Sequence, residues 1–396
     1  MIYIFEDSHA LDLEPVALTR ATFELRCGAL THLERIKRTI DSISNALIVR
    51  PELAQLMQER YPDSQVNPVD FAAGIWINGA ALWDESSVIA LQEPGACMAY
   101  QGRLVGANLS ASEGQELAAA IWTDTQPSYS SNVSATAKLL PHLWDHCHHN
   151  ADQLDHDYNV FFKGSAATVM PAGIQAIGDG GVFLGKNDSI DPFVLLDTRH
   201  GPIIIDSNVH IGSHTVIEGP AYIGPDCDIW PQSTIKNVSF GPACRLMGQV
   251  SGTILQGFTN KQHYGFLGDA YLGSWVNLGA GTTNSNLKSN YGKVSVMVNE
   301  SSVNTGSLFV GLFMGDYSKS AIGTLFPTGS TVGIGANIFG TLIPDKVIPP
   351  FTWGNTGEIY DLEKFLATAV IVKERRDQQL SQAERDVLTA LHPSTS

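Results

Sequence analysis

From residue 205 onward the aliphatic side chains fall at a fixed interval of six: Ile205, Ile211, Ile217, Ile223, Ile229 and Ile235. Four residues after each stands a small or β-branched residue: Val209, Thr215, Ala221, Cys227, Ser233 and Ser239. A helix repeats near 3.6 residues and a strand near 2, so neither sustains a period of six. A coil of short flat faces does, with one aliphatic residue per face stacking inward on the next coil and a small residue at the corner. The pattern is the hexapeptide signature of a parallel β-helix. Leu184, Ile190 and Leu196 keep the interval upstream, and an insertion at 198–202 shifts its phase. The phase slips by one between Ile235 and Phe266, then resumes as Phe266, Leu272 and Leu278, with Ala270, Val276 and Thr282 at corners. A polar loop at 284–293 interrupts it, and the last register reads Val310, Asp316, Ile322, Thr328, Ile334. Breaks of this kind map to loops on one face, often the binding face.

Elsewhere the periods are ordinary. Residues 1–6, 46–49 and 74–77 read as strands, the last stopped by Asn78-Gly79, and 98–105 as a hairpin. Helical spacing covers 25–40, a stretch from Pro51 to Arg60, and 113–121. This alternation predicts a layered α/β domain over residues 1–135. A His-rich helical connector follows at 136–175, then the β-helix at 176–352 and a helical extension at 353–396 that covers an open β edge. His142, His146 and His149 share one face of the connector helix. Without an acid at fixed spacing or an HExxH pattern, they read as a solvated polar face and not as metal ligands.

The length suffices for two or three cores. The net charge is −16 and no basic run is longer than Arg375-Arg376, which argues against nucleic acid or a polybasic membrane contact. Local Arg and Lys can still serve small anionic substrates. Five scattered cysteines without a CxxC fit neither a disulfide framework nor structural zinc, and point to a reducing cytoplasm. The acidic start lacks the marks of a signal peptide, and no stretch reaches membrane-spanning length.

The chemistry-bearing segment sits at the phase slip. Gln256–His263 reads Gln-Gly-Phe-Thr-Asn-Lys-Gln-His; Phe266-Leu267-Gly268-Asp269-Ala270 and Trp275-Val276-Asn277-Leu278-Gly279-Ala280-Gly281-Thr282 follow. Histidine is the side chain whose ordinary pKa, near ~6.5, lets it take a proton from a nucleophile at neutral pH, which makes His263 a candidate general base. Glycine-rich turns such as 278–281 offer backbone N–H groups to an oxyanion. Lys261 and Arg245 are candidate cations for a phosphate group.

These motifs resemble the acetyltransferase half of the bifunctional N-acetylglucosamine-1-phosphate uridylyltransferase/glucosamine-1-phosphate N-acetyltransferases. They are more similar still to a divergent bacterial branch of sugar nucleotidyltransferases, which also carries blocks like Phe313-Met314-Gly315-Asp316-Tyr317-Ser318-Lys319, Leu18-Thr19-Arg20 and Glu24-Leu25-Arg26-Cys27-Gly28. The resemblance implies an abbreviated Rossmann-like nucleotidyltransferase domain, a left-handed parallel β-helix (the acyltransferase domain), and C-terminal helices. It implies a homotrimer acting on sugar 1-phosphate, nucleoside triphosphate and acetyl-CoA, with Mg²⁺ for nucleotidyl transfer. It places His263 as the base, Asn277, Phe266, Asn286 and Lys293 against the sugar substrate, and Ala280, Gly281 and Thr282 against acetyl-CoA. Two positions depart from the better-known family: Ser251 stands where its phosphate-binding Lys aligns, and Phe266 replaces a Tyr.

In the first domain the Gly-rich phosphate loop usual in such enzymes is missing. Arg20 and Arg26 remain to neutralise a triphosphate and Asn78 to contact sugar or base, while Asp7 and Asp84 are candidate metal carboxylates. Two alternatives stand beside this reading: nucleotidyl transfer alone, as in a glucose-1-phosphate thymidylyltransferase with the coil as trimerisation stalk, and a non-catalytic scaffold.

Overall fold

A computed structural model describes residues 1–40, 45–123, 128–134, 137–164 and 170–394; the expected domain boundary at 135–136 lies outside them. The first domain is built on a six-stranded sheet. Its strands are Ile2–Phe5 (β1), Asn45–Ile48 (β2), Gln65–Val66 (β3), Gly74–Asn78 (β4), Cys97–Tyr100 (β5) and Arg103–Leu109 (β6), in the order β3-β2-β1-β4-β6-β5. The first four are mutually parallel, and β6 runs antiparallel to both of its neighbours, β4 and β5. β1 is buried along its whole length, as a central strand with both faces covered requires.

Helix α1 (His32–Thr39) follows a capping box in which Thr31 and Glu34 exchange hydrogen bonds. It is shorter than the 25–40 expected. Residues Arg26–Cys27 and Leu30–Thr31 instead pair as a hairpin. Gly28 turns that hairpin at φ 76°, and a Cβ there would stand 2.5 Å from Asp157 Oδ2. The helical spacing was real, but a left-handed residue cannot lie inside a helix. Helices α2 (Ala54–Arg60), α3 (Glu85–Ile89) and α4 (Ala111–Ala120) complete the domain.

The second half is a parallel β-helix. Strand register stacks its core into columns. One runs Ile205, Ile223, Phe240, Leu255, Leu272, Met314, Val332, Ile348, and every member is buried. Two phases differ from the sequence reading. Leu267, not Phe266, points inward, because it pairs with Val250. After the excursion that holds the hairpin Ser295–Val298 with Ser301–Asn304, the inward residues are Met314, Ser320, Phe326, Val332 and Ile338. Ile322, expected inside, is 76% exposed. Loop length does not conserve phase; the pairing of Leu272 with Met314 resets it.

Helix α5 (Leu143–Asp157) wedges between the halves. Asn150 Oδ1 accepts from Gly28 N and Ser239 Oγ, both at 2.8 Å, and Asp157 pairs with buried Arg35. Helices α6 (Leu362–Glu374) and α7 (Gln382–Ala390) bridge the halves on another side. Phe365 of α6 packs with Trp275, Tyr317, Ile334 and Phe351 along one corner of the coil, while Ala383 and Val387 of α7 join the first domain's core. The extension thus lines a corner of the coil. At the coil's last turns Leu342 and Ile343 stay 65% and 64% exposed. No described helix is long and apolar enough to cross a membrane, and all five cysteines are free.

Candidate functional site

His263 stands on the corner between the strands Asn260–Lys261 and Phe266–Gly268, its exposed ring edge-on to Trp230 with centroids 6.3 Å apart. Lys261, read from sequence as a phosphate ligand, has a different role. It pairs with Leu246 in an inward column and is 1% exposed. Its Nζ donates to the carbonyls of Met247 and His263, each at 3.0 Å, and burial pulls the ammonium down to about 8. A lysine inside an aliphatic column must spend its donors on backbone, and here it braces the corner that carries His263.

The next corner, 279–282, lies against the first. Gly281 N donates to Tyr264 O at 3.0 Å. Ala280 and Gly281 are partly exposed; Thr282 is buried, its hydroxyl 2.9 Å from Ser320 Oγ. Asn284, which sequence reasoning passed over, occupies a buried position and clamps Gly268 by both its N–H and its C=O. An apolar position in the six-residue pattern was the only signal, and a polar residue there hid it.

The remaining expected residues fall into two neighbourhoods flanking the His263 corner. Arg245 and Asn277 share an outward row with Asn260 and Lys319, by the register Arg245–Asn260–Asn277–Lys319. On the following face the Phe266 ring covers Gly268, and Asn286 Nδ2 donates to Asp269 Oδ2 at 2.6 Å. Lys293 is exposed on the loop, its carbonyl accepting from Lys288 Nζ.

In the first domain the crevice beyond the carboxyl ends of the parallel strands, where α/β sheets take ligands, is filled by the chain itself. Buried Glu6 accepts from Thr22 N and pairs with Arg50, which also donates to Ala17 O and Arg20 O. Three expected nucleotide contacts are committed to structure. Asn78 is fully buried and donates to Asp7 and Leu104 O. Arg20 is buried and pairs with Asp316 at 2.6 Å. Arg26 donates to Ala29 O at 2.5 Å and lies over the Tyr222 ring; with Arg20 it lines a cleft of about 530 Å³ between the halves. The carboxylates proposed for Mg²⁺ do not fit it. Asp7 is held by Arg103 and Asn78, Asp84 caps α3 through Ser87, and no group of three or more metal-binding side chains occurs among the described residues.

The connector histidines also differ from expectation. His146 is fully buried, its Nε2 3.0 Å from His32 Nε2 and its Nδ1 3.0 Å from His142 O. The carbonyl fixes the proton on Nδ1, so His32 donates and His146 accepts. His142 stacks on Trp144, and His149 lies 3.1 Å from Lys138 Nζ.

Residues 2–166 match the family model described as sugar nucleotidyl transferase, and residues 202–237 match that of the bacterial transferase hexapeptide. The Bifunctional protein GlmU of Rippkaea orientalis is 29% identical over 110 residues, 27% of this chain and 23% of that one. Its namesake in Xylella fastidiosa is 28% identical over 177 residues, 35% of this chain and 36% of that one. The chain thus spans only about a quarter to a third of the length of these relatives. A UDP-N-acetylglucosamine acyltransferase from Campylobacter jejuni, 13% identical, covers 56% of this chain and 94% of its own at a TM-score of 0.23.

Proposed function

We propose that this chain, a sugar nucleotidyl transferase domain joined to a hexapeptide coil, is a transferase of nucleotide-sugar synthesis whose coil half acetylates glucosamine 1-phosphate from acetyl-CoA. The observation that carries this reading is the braced corner. A histidine free of carboxylate partners among the described residues stands exposed between two polar neighbourhoods, held from below by Lys261. His263 takes a proton from the sugar amine as its nitrogen attacks the thioester carbonyl. The C–N bond forms, the C–S bond breaks, and the thiolate of CoA leaves with a proton. The oxyanion needs a donor. On the facing corner Gly279, Gly281 and Thr282 already donate to carbonyls, which leaves the Ala280 N–H as that corner's free amide among the described residues.

The companion reaction is uridylyl transfer from UTP to N-acetylglucosamine 1-phosphate with release of pyrophosphate. The carboxylates expected to hold its Mg²⁺, Asp7 and Asp84, are engaged elsewhere. The filled crevice at Glu6 and Arg50 favours a second reading for this half, in which it serves as a platform for the coil. Exposed Ile322, Leu342 and Ile343 support association into the proposed trimer.

Matched assays of wild type and His263→Ala test the reading. Glucosamine 1-phosphate with acetyl-CoA is expected to release CoA only in the wild type. N-Acetylglucosamine 1-phosphate with UTP releases pyrophosphate in both if the first half is active. Undiminished acetylation by His263→Ala removes this base. Pyrophosphate from dTTP and glucose 1-phosphate, but not from UTP, moves the chain to thymidylyl transfer.

A further inference from the structure

The outward row Arg245–Asn260–Asn277–Lys319 crosses four neighbouring strands, so at about 4.8 Å per strand its ends lie roughly 14 Å apart. The C-terminal end of α6 lies across it. Arg376 Nη2 donates to Asn260 Oδ1 at 2.5 Å and its Nη1 to Ala243 O at 3.2 Å. Between helix and coil lies a cavity of about 370 Å³, a size suited to a small ligand. Phe258 and Trp275, stacked at 4.2 Å and 15°, form one wall.

Four cations line this cavity, Arg245, Lys319, Arg375 and Arg376, and no carboxylate does. Among the described residues Arg245, Lys319 and Arg375 have no ion-pair partner, and Arg376 donates only to neutral oxygens. Elsewhere buried Arg20 pairs with Asp316 and buried Arg35 with Asp157, and half-buried Arg50 pairs with Glu6. In a chain of net charge −16 such a concentration of unmatched positive charge is not a solubility feature. Burial and the nearby Arg245 and Arg375 lower the pKa of Arg376, and burial lowers that of Lys319; both shifts are relieved when an anion enters.

We propose that this cavity is a phosphate-monoester site, completed only when the end of α6 brings Arg375 and Arg376 over Arg245 and Lys319. The inference deepens the acetyl-transfer reading and rests on it for the two candidate carriers, a sugar 1-phosphate and the 3′-phosphate of CoA. The site itself rests on the cations alone.

The test is calorimetric titration of the full chain with inorganic phosphate, in wild type, Arg245→Gln, Lys319→Gln and Arg375→Gln. Lys186→Gln, an exposed cation elsewhere on the coil, is the control. Saturable binding that weakens with salt is expected in wild type and control. A loss of roughly tenfold or more is expected in each cavity variant, the effect of one charged hydrogen bond. Arg375 lies exposed at the helix end, so its variant keeps the test valid if a coil variant fails to fold. No saturable binding of millimolar phosphate by wild type, or equal binding by Arg375→Gln and wild type, overturns the site. Glucosamine 1-phosphate against glucosamine, and CoA against dephospho-CoA, identify the carrier: the pair whose discrimination collapses in the variants is the one held here. Variant-sensitive phosphate binding without any acetyl transfer sinks the proposed function and leaves the site standing. Acetyl transfer with unchanged KM for both substrates in all three variants does the reverse.

Discussion

Replacing Asp316 by alanine tests what joins the halves. Asp316 is 4% exposed and accepts from Thr19 Oγ1 at 2.7 Å, Arg20 Nη2 at 2.6 Å and Ser274 N at 2.7 Å. Glycine at 273 is required there, because a Cβ would collide with Asp316 Oδ1. Truncation leaves the buried Arg20 guanidinium with only Val16 O and Ser274 Oγ. An uncompensated buried charge of this kind costs about 3–5 kcal/mol. Asp316→Asn, which keeps an acceptor but drops the charge, is expected to cost less. An Arg20→Met/Asp316→Leu double variant is expected to regain most of the loss, since an apolar pair of similar volume is often neutral in place of a buried ion pair. The assay is urea unfolding followed by tryptophan fluorescence, read as a double-mutant cycle. A cost below about 1 kcal/mol for Asp316→Ala refutes the reasoning: the pair would then behave as a solvated one.

Acid is expected to weaken the fold through the His32–His146 pair. Burial holds His146 down at about 4 and His32 well below its usual value, so the unfolded chain takes up protons first. Stability is full above about pH 6.5 and falls as pH drops toward 4, by up to about 3 kcal/mol from His146 at ~1.4 kcal/mol per unit. Thermal melts from pH 7.5 to 5 check this, and a slope equal to that of a His32→Leu/His146→Leu double variant counts against it. Lys261→Met fits the apolar column and is expected to change stability by less than about 1.5 kcal/mol, while kcat for acetyl transfer falls about tenfold or more as the His263 corner loosens. Unchanged kcat with an unchanged pH profile removes Lys261 as a positioning residue.

The coil was legible because a period of six is a geometric demand that every turn repeats. Its irregular members were not. Lys261 and Asn284 occupy inward positions where composition argues for the outside, and only the register places them there. Beyond the 284–293 loop the phase is lost, because a loop of arbitrary length carries no period; the six-residue interval extrapolates Asp316 and Ile322 into the core column, whereas one lies under Arg20 and the other in solvent. The blocks Leu18-Thr19-Arg20 and Phe313–Lys319 stood out in the sequence, but the contact of Arg20 with Asp316, 296 positions apart, is a property of the folded chain. That pairing commits Arg20 to the joint between the halves. The His263 segment stands out in the sequence because its proposed chemistry and the break in the ladder coincide.

Solenoids commonly gain and lose turns, since each repeat touches only its neighbours. This one is measured from outside. Helix α5 bonds the hairpin at Gly28 to Ser239, Arg20 reaches Asp316, and α6 rests on Trp275, Tyr317, Ile334 and Phe351 while α7 grips the first domain. Together they act as a caliper set to one length. A duplicated or deleted turn between Ser239 and Phe351 would move one jaw by about 4.8 Å and undo several buried contacts at once. The hold reaches the coil's early turns as well, where Phe162 packs edge-on against Phe183 with ring centroids 5.1 Å apart and Ile204 joins Leu30 and Leu154 in one buried cluster.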